Sequence, residues 1–333
     1  MSPFRAVFVV PSLSEASTRI RVLAALPGLA EEGCDVRVEE VPRHSFRRLR
    51  LLRGLRGADV VVVHRKLFDF LEFAFLRRNC RRLVFDFDDA ILYRDSFRGA
   101  STSRRLARRF ANAVKEADAV VAGNPYLKDL AIEAGARGEV RIIPSAVDVS
   151  RFPDAGPRAG EGVVLGWIGT ASTLPYLTDL LPLLDDLAAS DPGYTLRVIC
   201  SEFPAPETMS LDPQAWSEAR EPELLTGIDI GLMPLRDDRW SRGKCGYKIL
   251  QYFAARKPVV ASAVGVNVDL VRPGETGFLA RSDDGWLEGI SRLASDRDAA
   301  RRMGAEGFRL LEGSGFTLEA YVSHLASFLR TVA

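Results

Sequence analysis

Three cations stand close together between two apolar runs. Arg242, Lys244 and Lys248 follow the strand-like segment Ile228–Met233 and precede PVVAS at 258–262. Fixed positive charge at the mouth of a parallel sheet, beside helix starts, is what a diphosphate requires. Lys244 and Lys248 are four residues apart, so on a helix or its lead-in turn they share a face. When a diphosphate leaves, charge builds on its phosphate, and such cations stabilise the transition state more than the ground state. The competing reading is a solvated basic loop. Amides of the turn at Gly169 and Thr170, and of the helix start around Gly265, Val266 and Asn267, would add dipole support. A strand–turn–helix joint such as GTAST at 169–173 is also commonly only structural.

A second group of chemically capable residues precedes position 100. FDFDDA at 85–90 places Asp86 and Asp88 as a DxD pair, a pattern that can bind a metal. Nothing nearby completes a metal shell, and no metal is expected. Arg19 and Arg21 open a helix after SEAST, where they could meet an anion. Cations oppose the dipole at a helix start, so a solvent-facing first turn is the alternative. His64 and Arg65 end the third strand. A lone histidine is more often structural than a general base. Trp167 and Trp240 read first as packing, with Trp240, in a polar loop, the better candidate for stacking on a sugar.

Short apolar runs alternate with amphipathic stretches, the pattern of β-α units around parallel sheets. Strands are expected at 6–10, 36–40, 60–63, 83–87, 119–122, 141–143, 163–168, 196–199, 228–233 and 259–261. In the first half, helices are expected near 18–32, 45–56, 67–78, 100–116 and 125–134. In the second they fall near 174–189, 215–225, 245–255, 267–272, 284–295, 298–312 and 317–331. The 333 residues suit two domains, 1–150 and 163–315, with a Pro- and Gly-rich linker at 151–162 and a last helix at 316–333 crossing back to the first domain. Facing domains of this type make a cleft and bind ligands at the carboxyl ends of their strands.

Composition narrows the function. The net charge is +1, yet residues 1–150 hold 26 Lys/Arg against 19 Asp/Glu and the remainder 19 against 25. The basic first half suits an anionic partner. Four scattered cysteines and three histidines carry no metal or redox spacing. No apolar run approaches the ~18–20 residues that span a bilayer, and no leader pattern is visible, so a cytoplasmic location is expected. RHSFRRLRLLRGLRG at 43–57 is a basic amphipathic helix with Phe46, Leu49, Leu52 and Leu55 on one side. It either packs on its own sheet or lies peripherally on an inner membrane surface. Basic residues are not interleaved with aromatics, so nucleic acid is not an expected partner. GxGxxG is missing after the first strand, and so is a P-loop.

GWIGT at 166–170, DIGLMPL at 229–235, GKCGYKILQYFAARKPVVAS at 243–262 and GETGFLA at 274–280 come in the order seen in group-one (family four) glycosyltransferases of the GT-B fold, which the chain resembles. IIPSAVD at 142–148 resembles that family's interdomain junction. The resemblance implies an α/β, doubly wound two-domain fold and sugar transfer from a nucleotide diphosphate donor, UDP- or GDP-linked. Retention of anomeric configuration and independence from metal and other cofactors come with it. The acceptor, a glycan, a lipid-linked or a small molecule, is unspecified. By the same resemblance Arg242, Lys244, Tyr247 and Lys248 contact the donor, with Lys244 and Lys248 catalytic. Gln251 stands where the family's second glutamate accepts the ribose hydroxyls, and Gly243 where its first glutamate stands. A glutamine can serve ribose by accepting one proton and donating another. Asp88 and Asp89 fall at the family's sugar-facing position. Asp88 then contacts the donor sugar or acceptor hydroxyl, or caps its turn. Ser17, Arg19, Arg21, His64, Arg65 and Asp89 fall on the acceptor side. Two alternatives remain: an epimerase of the same fold, and an inert sugar-nucleotide-binding protein.

Overall fold

A computed structural model describes residues 4–97, 102–154, 156, 158 and 160–333. The chain forms two compact units. Unit 1 comprises Met1–Ala146, Asp238–Cys245 and Phe316–Ala333; unit 2 comprises Val147–Asp237 and Gly246–Gly315. The division therefore falls at 146/147 rather than 150, and residues 238–245, expected in the second domain, belong to the first. Residues 155, 157 and 159 of the expected linker, and 100 and 101 at the start of the expected helix 100–116, lie outside the described residues.

Unit 1 carries a parallel sheet of β1 (Phe4–Val10), β2 (Cys34–Glu40), β3 (Val60–His64), β4 (Leu83–Phe87), β5 (Ala119–Ala122) and β6 (Glu139–Ile142), ordered β2-β1-β3-β4-β5-β6. β3, VVVVH, is buried along its whole length, as a strand covered on both faces must be. One face packs α3 (Ser45–Arg53), α4 (Phe70–Arg78), α5 (Arg104–Glu116) and α6 (Pro125–Glu133) through Leu52, Phe73, Phe110 and Leu127. The other carries α1 (Ala16–Thr18), α2 (Leu26–Glu31) and the last helix, α14 (Leu318–Val332), whose Tyr321, Leu325 and Phe328 share a core with Phe8, Val22 and Leu29. The helix expected over 18–32 is broken: a π-helical turn, Arg19–Leu23, separates α1 from α2.

Unit 2 holds β7 (Val163–Ile168), β8 (Tyr194–Cys200), β9 (Ser210–Ala215), β10 (Ile230–Met233), β11 (Val259–Ser262) and β12 (Gly277–Ala280), ordered β12-β11-β10-β7-β8-β9. Its helices are α7 (Leu174–Thr178), α8 (Leu181–Ser190), α9 (Glu221–Thr226), α10 (Tyr247–Ala254), α11 (Asn267–Leu270), α12 (Asp283–Ser295) and α13 (Arg297–Gly313). The two edge strands, β9 and β12, escape the periodicity reading. β9, SLDPQA, contains Pro213, which an edge strand tolerates and a central one does not. β12 is only four residues long.

In each sheet the chain reverses its direction of travel once, between β1 and β3 in unit 1 and between β7 and β10 in unit 2. Ligands of open α/β sheets bind outside the carboxyl ends of the strands at this reversal.

Candidate functional site

In unit 2 the loops after β7 and β10 meet at the reversal. Tyr252, fully buried on α10, ties them together: its hydroxyl donates to Leu232 O at 3.0 Å and accepts from Ile168 N at 3.2 Å. That stitch fixes α10 against both strands and sets the first turn of the helix at their carboxyl edge. There Lys248 holds its Nζ 4.5 Å from the Trp167 ring and donates to Thr173 Oγ1 at 3.4 Å. Trp167 is fully buried, which makes it a platform for the ammonium and removes it as a sugar-stacking face. Tyr247 is half-buried at the first helical position. One turn beyond, Gln251 is 4% exposed, and its side-chain amide has no hydrogen-bond partner among the described residues. A nearly buried amide that still reaches an open edge is equipped to donate and to accept. Thr173 went unnoticed in the sequence, where only the hydroxyl-rich GTAST could have flagged it.

Other expectations for this edge change. The Gly169 amide donates to Ile199 O at 3.1 Å and the Thr170 amide to Thr173 Oγ1 at 3.1 Å, so neither is left for a phosphate. Asn267 is fully buried and donates to Ser262 O at 2.9 Å, pinning the turn that carries Gly265 and Val266. Lys244 and Lys248 do not share a helix face. Gly246, at φ +67°, separates them in a left-handed conformation, and α10 begins only at Tyr247.

Lys244 instead belongs to unit 1. Its ammonium pairs with Asp89 Oδ1 at 3.0 Å and lies 4.8 Å from the Trp240 ring. The segment 238–245 is bound to unit 1 along its length. Asn124 Nδ2 donates to Gly243 O at 3.1 Å and Lys244 O at 3.2 Å, and Tyr126 donates to Arg239 O at 3.2 Å. A Cβ at Gly243 would lie 2.6 Å from Ala90 Cβ, so a glutamate cannot stand there without displacing the segment. The Cys245 thiol donates to Asp88 O at 3.2 Å, and burial pushes its pKa far up, which makes it inert. Arg242, on the same segment, is exposed. Trp240 packs against the unit 1 core and its ring face is taken by Lys244, so of its two readings the structure shows packing rather than a free stacking face.

The carboxyl edges of β1, β3 and β4 gather the remaining candidates. Asp86 Oδ2 lies 2.5 Å from His64 Nδ1, His64 Nε2 lies 2.8 Å from Ser17 Oγ, and Ser17 donates to Asp88 Oδ2 at 2.6 Å. Arg21, fully buried, clamps Asp86 with Nη2 at 2.6 Å and Nε at 3.3 Å and donates to Ile143 O at 3.1 Å. Its guanidinium also lies 5.4 Å from the Tyr321 ring. Burial acts to raise the Asp86 pKa, but Arg21 and His64 outweigh it and hold the carboxyl well below its usual range. Burial opposes ionisation of Asp88 too, and Arg65, His64, Arg21 and the Ser17 hydrogen bond still bring its pKa down. Arg65, at φ +57°, spans Asp88 Oδ1 at 3.2 Å and Asp89 Oδ2 at 2.9 Å.

This overturns the sequence reading of Arg21 and decides between the two readings of His64. Arg21 is enclosed by the Asp86 carboxylate, the Ile143 carbonyl and the Ser145 hydroxyl and cannot meet a diphosphate or an acceptor. His64 is fully buried with both ring nitrogens engaged, so it is not a general base at an acceptor hydroxyl. Arg19 sits half-buried on the π-helical turn. Asp86, noticed in the sequence only as half of a DxD pair, is the hub that joins Arg21 to His64. Among the described residues no group of three or more His, Cys, Asp or Glu side chains is placed to hold a metal ion.

Two doubly wound parallel sheets, each with polar groups at its reversal, are the GT-B fold. Residues 215–296 match the family model for Glycosyl transferases group 1, a region that includes α10 with Lys248 and Gln251. HepE of Anabaena, solved with UDP and glucose, superposes with a TM-score of 0.75 at 16% identity over 98% of this chain and 100% of that one. Sucrose-phosphate synthase of Thermosynechococcus elongatus gives 0.73 at 15% identity over 98% of each chain. TuaH of Bacillus subtilis (strain 168), a candidate glycosyltransferase of teichuronic acid biosynthesis, is 25% identical over 179 residues. That match covers 48% of this chain and 44% of TuaH, under half the length of the relative.

Proposed function

We propose that this protein transfers a sugar from a nucleotide diphosphate sugar, UDP- or GDP-linked, to an acceptor hydroxyl with retention of anomeric configuration. The observation that carries the reading is the unit 2 edge, where Lys248 is held over Trp167 and against Thr173 within the region matching the group 1 family. The acceptor oxygen bonds to the anomeric carbon as the bond to the diphosphate oxygen breaks. That electron pair stays on the diphosphate, which also takes the acceptor proton. Lys248 stabilises the charge that appears there. Gln251, buried yet unsatisfied, suits a ribose diol that needs one acceptor and one donor. Asp88 and Asp89 act as positioning groups through Arg65 and Lys244. The chemistry as proposed calls on no metal or cofactor. HepE, solved with UDP and with UDP-glucose, supports UDP-sugars as the first donors to try. Melting curves with UDP, GDP, UDP-glucose and GDP-mannose test the donor, because a ligand that binds only the folded state raises the midpoint. Flat curves throughout would sink the reading. Binding without transfer or hydrolysis would favour an inert binding protein, and interconversion of free nucleotide sugars an epimerase.

We also propose peripheral contact with an anionic lipid surface, from a cytoplasmic location. Among the described residues no helix is long and apolar enough to cross a membrane. Along α3 the apolar stripe splits: Leu52 is buried, while Phe46 is 80% and Leu49 40% exposed. Arg48 pairs with Glu72 at 2.6 Å and so brings the start of α4 alongside, where Phe70 is 71% and Leu71 78% exposed. Arg43, Arg47 and Arg50 flank these side chains in sequence. Exposed aromatics among arginines suit an interface with acidic headgroups. Sedimentation with phosphatidylglycerol vesicles, and its absence with phosphatidylcholine alone, is the expected outcome; Phe46→Ser with Phe70→Ser should abolish it.

A further inference from the structure

The opposite edge of the unit 2 sheet carries a second cationic feature. At the amino ends of β7, β10 and β11 a cavity of about 230 Å³ is walled by the end of α10 and by α12 and α13. Arg158, Arg256, Lys257, Arg297 and Arg301 line it, together with the carboxylates Asp154 and Asp229. The carboxylates are already committed. Asp229 Oδ2 accepts from Val164 N at 2.8 Å and pairs with Arg158 at 2.9 Å, and Asp154 lies 3.5 Å from Arg256 Nε. Arg297 donates to the carbonyls of Gly162, at 2.7 Å, and Gly160, at 3.4 Å, which leave its charge unneutralised.

Two donors in this cavity lack acceptors. Lys257 is 7% exposed, and its ammonium has no hydrogen bond or ion pair among the described residues. Arg256 Nη1 is buried without a hydrogen-bond partner. Burying an unpaired ammonium is costly, and such groups are normally paired or coordinated. Burial, only partly offset by Asp229, accordingly lowers the Lys257 pKa. The backbone here is strained as well. Arg256 takes φ +55° directly after the α10 C-cap, a place where glycine or asparagine is usual, at a cost of about 1–2 kcal/mol. That conformation sends Arg256 and Lys257 out consecutively at the cavity wall, with Arg256 stacked 3.8 Å from the Phe308 ring centroid.

We propose that this cavity is a binding site for a phosphate group, free or carried by a small metabolite, with Lys257 as its principal donor. A tetrahedral oxyanion accepts from the Lys257 ammonium and neutralises the surplus charge of Lys257 and Arg297. The site lies across the sheet from Lys248, at the other end of α10, a helix of eight residues or about 12 Å. It is separate from the donor edge and stands whether or not that edge binds a nucleotide sugar.

The test is thermal unfolding of the full chain in sodium phosphate against sodium chloride at matched ionic strength, for wild type, Lys257→Met and Lys248→Met. Phosphate at ten times its Kd should raise the wild-type midpoint by about 3 °C. The rise should persist in Lys248→Met and vanish in Lys257→Met. No difference between phosphate and chloride in wild type overturns the proposal, as does a rise lost in Lys248→Met but kept in Lys257→Met. Should Lys257→Met fail to fold, acylation of wild-type Lys257 by acetic anhydride, read by peptide mass spectrometry, decides the matter. Phosphate slows it several-fold if the site is real, and an unchanged rate refutes it. Glucose 6-phosphate in place of phosphate separates the sources: tighter binding identifies a phosphorylated metabolite, equal binding the free anion.

Discussion

The two sheet reversals of this molecule are built alike and equipped oppositely. In unit 1 the carboxyl edge is filled by its own charges: Arg21 with Asp86, His64 between Asp86 and Ser17, and Arg65 across Asp88 and Asp89. In unit 2 the corresponding edge carries Lys248 against a hydroxyl and an aromatic face, and Gln251 with its amide unspent. A closed ion network fixes geometry because each member is costly to free; an amide without a partner is poised for a ligand. One topology thus supplies both a rigid platform and a receptive edge, and side-chain choice alone decides which.

Breaking the platform should have the largest effect. Asp86→Asn leaves Arg21 buried without its counter-charge, and unfolding in urea should show a loss of about 3–5 kcal/mol. The receptive edge should respond in rate rather than stability. Lys248→Ala should lower kcat about 100- to 1,000-fold with the proposed donor, with the fold intact by circular dichroism. An unchanged kcat would place the leaving-group charge elsewhere. Gly243→Glu, which restores the glutamate of the resembled family, should fail to gain activity. It should cost about 1–3 kcal/mol, since the new side chain collides with Ala90 and strains the bonds from Asn124. Gln251→Ala should raise KM for the donor about tenfold while leaving kcat within a factor of a few, the signature of lost uniform binding.

The smallest effect is in pH. Asp86 and Asp88 both have folded-state pKa values below their unfolded ones. Their contribution to stability is therefore complete above pH of about 4 and is lost as pH falls through the depressed folded values. The urea midpoint should stay flat from pH 7 to about 5 and fall below pH 4. In Asp86→Asn that acid limb should be shallower; an equally steep one would show that other carboxylates dominate.

Much was legible in the chain. Runs such as VVVVH and DIGLM read as strands because parallel strands buried on both faces must be apolar throughout. Lys248 and Gln251 were placed by a motif whose spacing a helix preserves. Lys244 was misplaced because one glycine in a left-handed conformation uncouples it from the next turn, and sequence spacing does not register a reversal of φ. Arg21 looked exposed because cations at a helix start usually face water, and for His64 the local sequence left a structural and a chemical role both open. Their partners lie 65 and 22 residues away at Asp86.

Composition and local pattern alone determined two α/β halves, the apolar strands and the helix that carries Lys248, since these depend on short continuous apolar runs and on a period of about four residues. Tertiary structure alone decided which charges are consumed and which remain: that Asp86 silences Arg21 and His64, that residues 238–245 fold with unit 1, and that Lys257 ends without an acceptor. Pairing across tens of residues follows from where the strands end in space, and nothing in the local sequence carries that information.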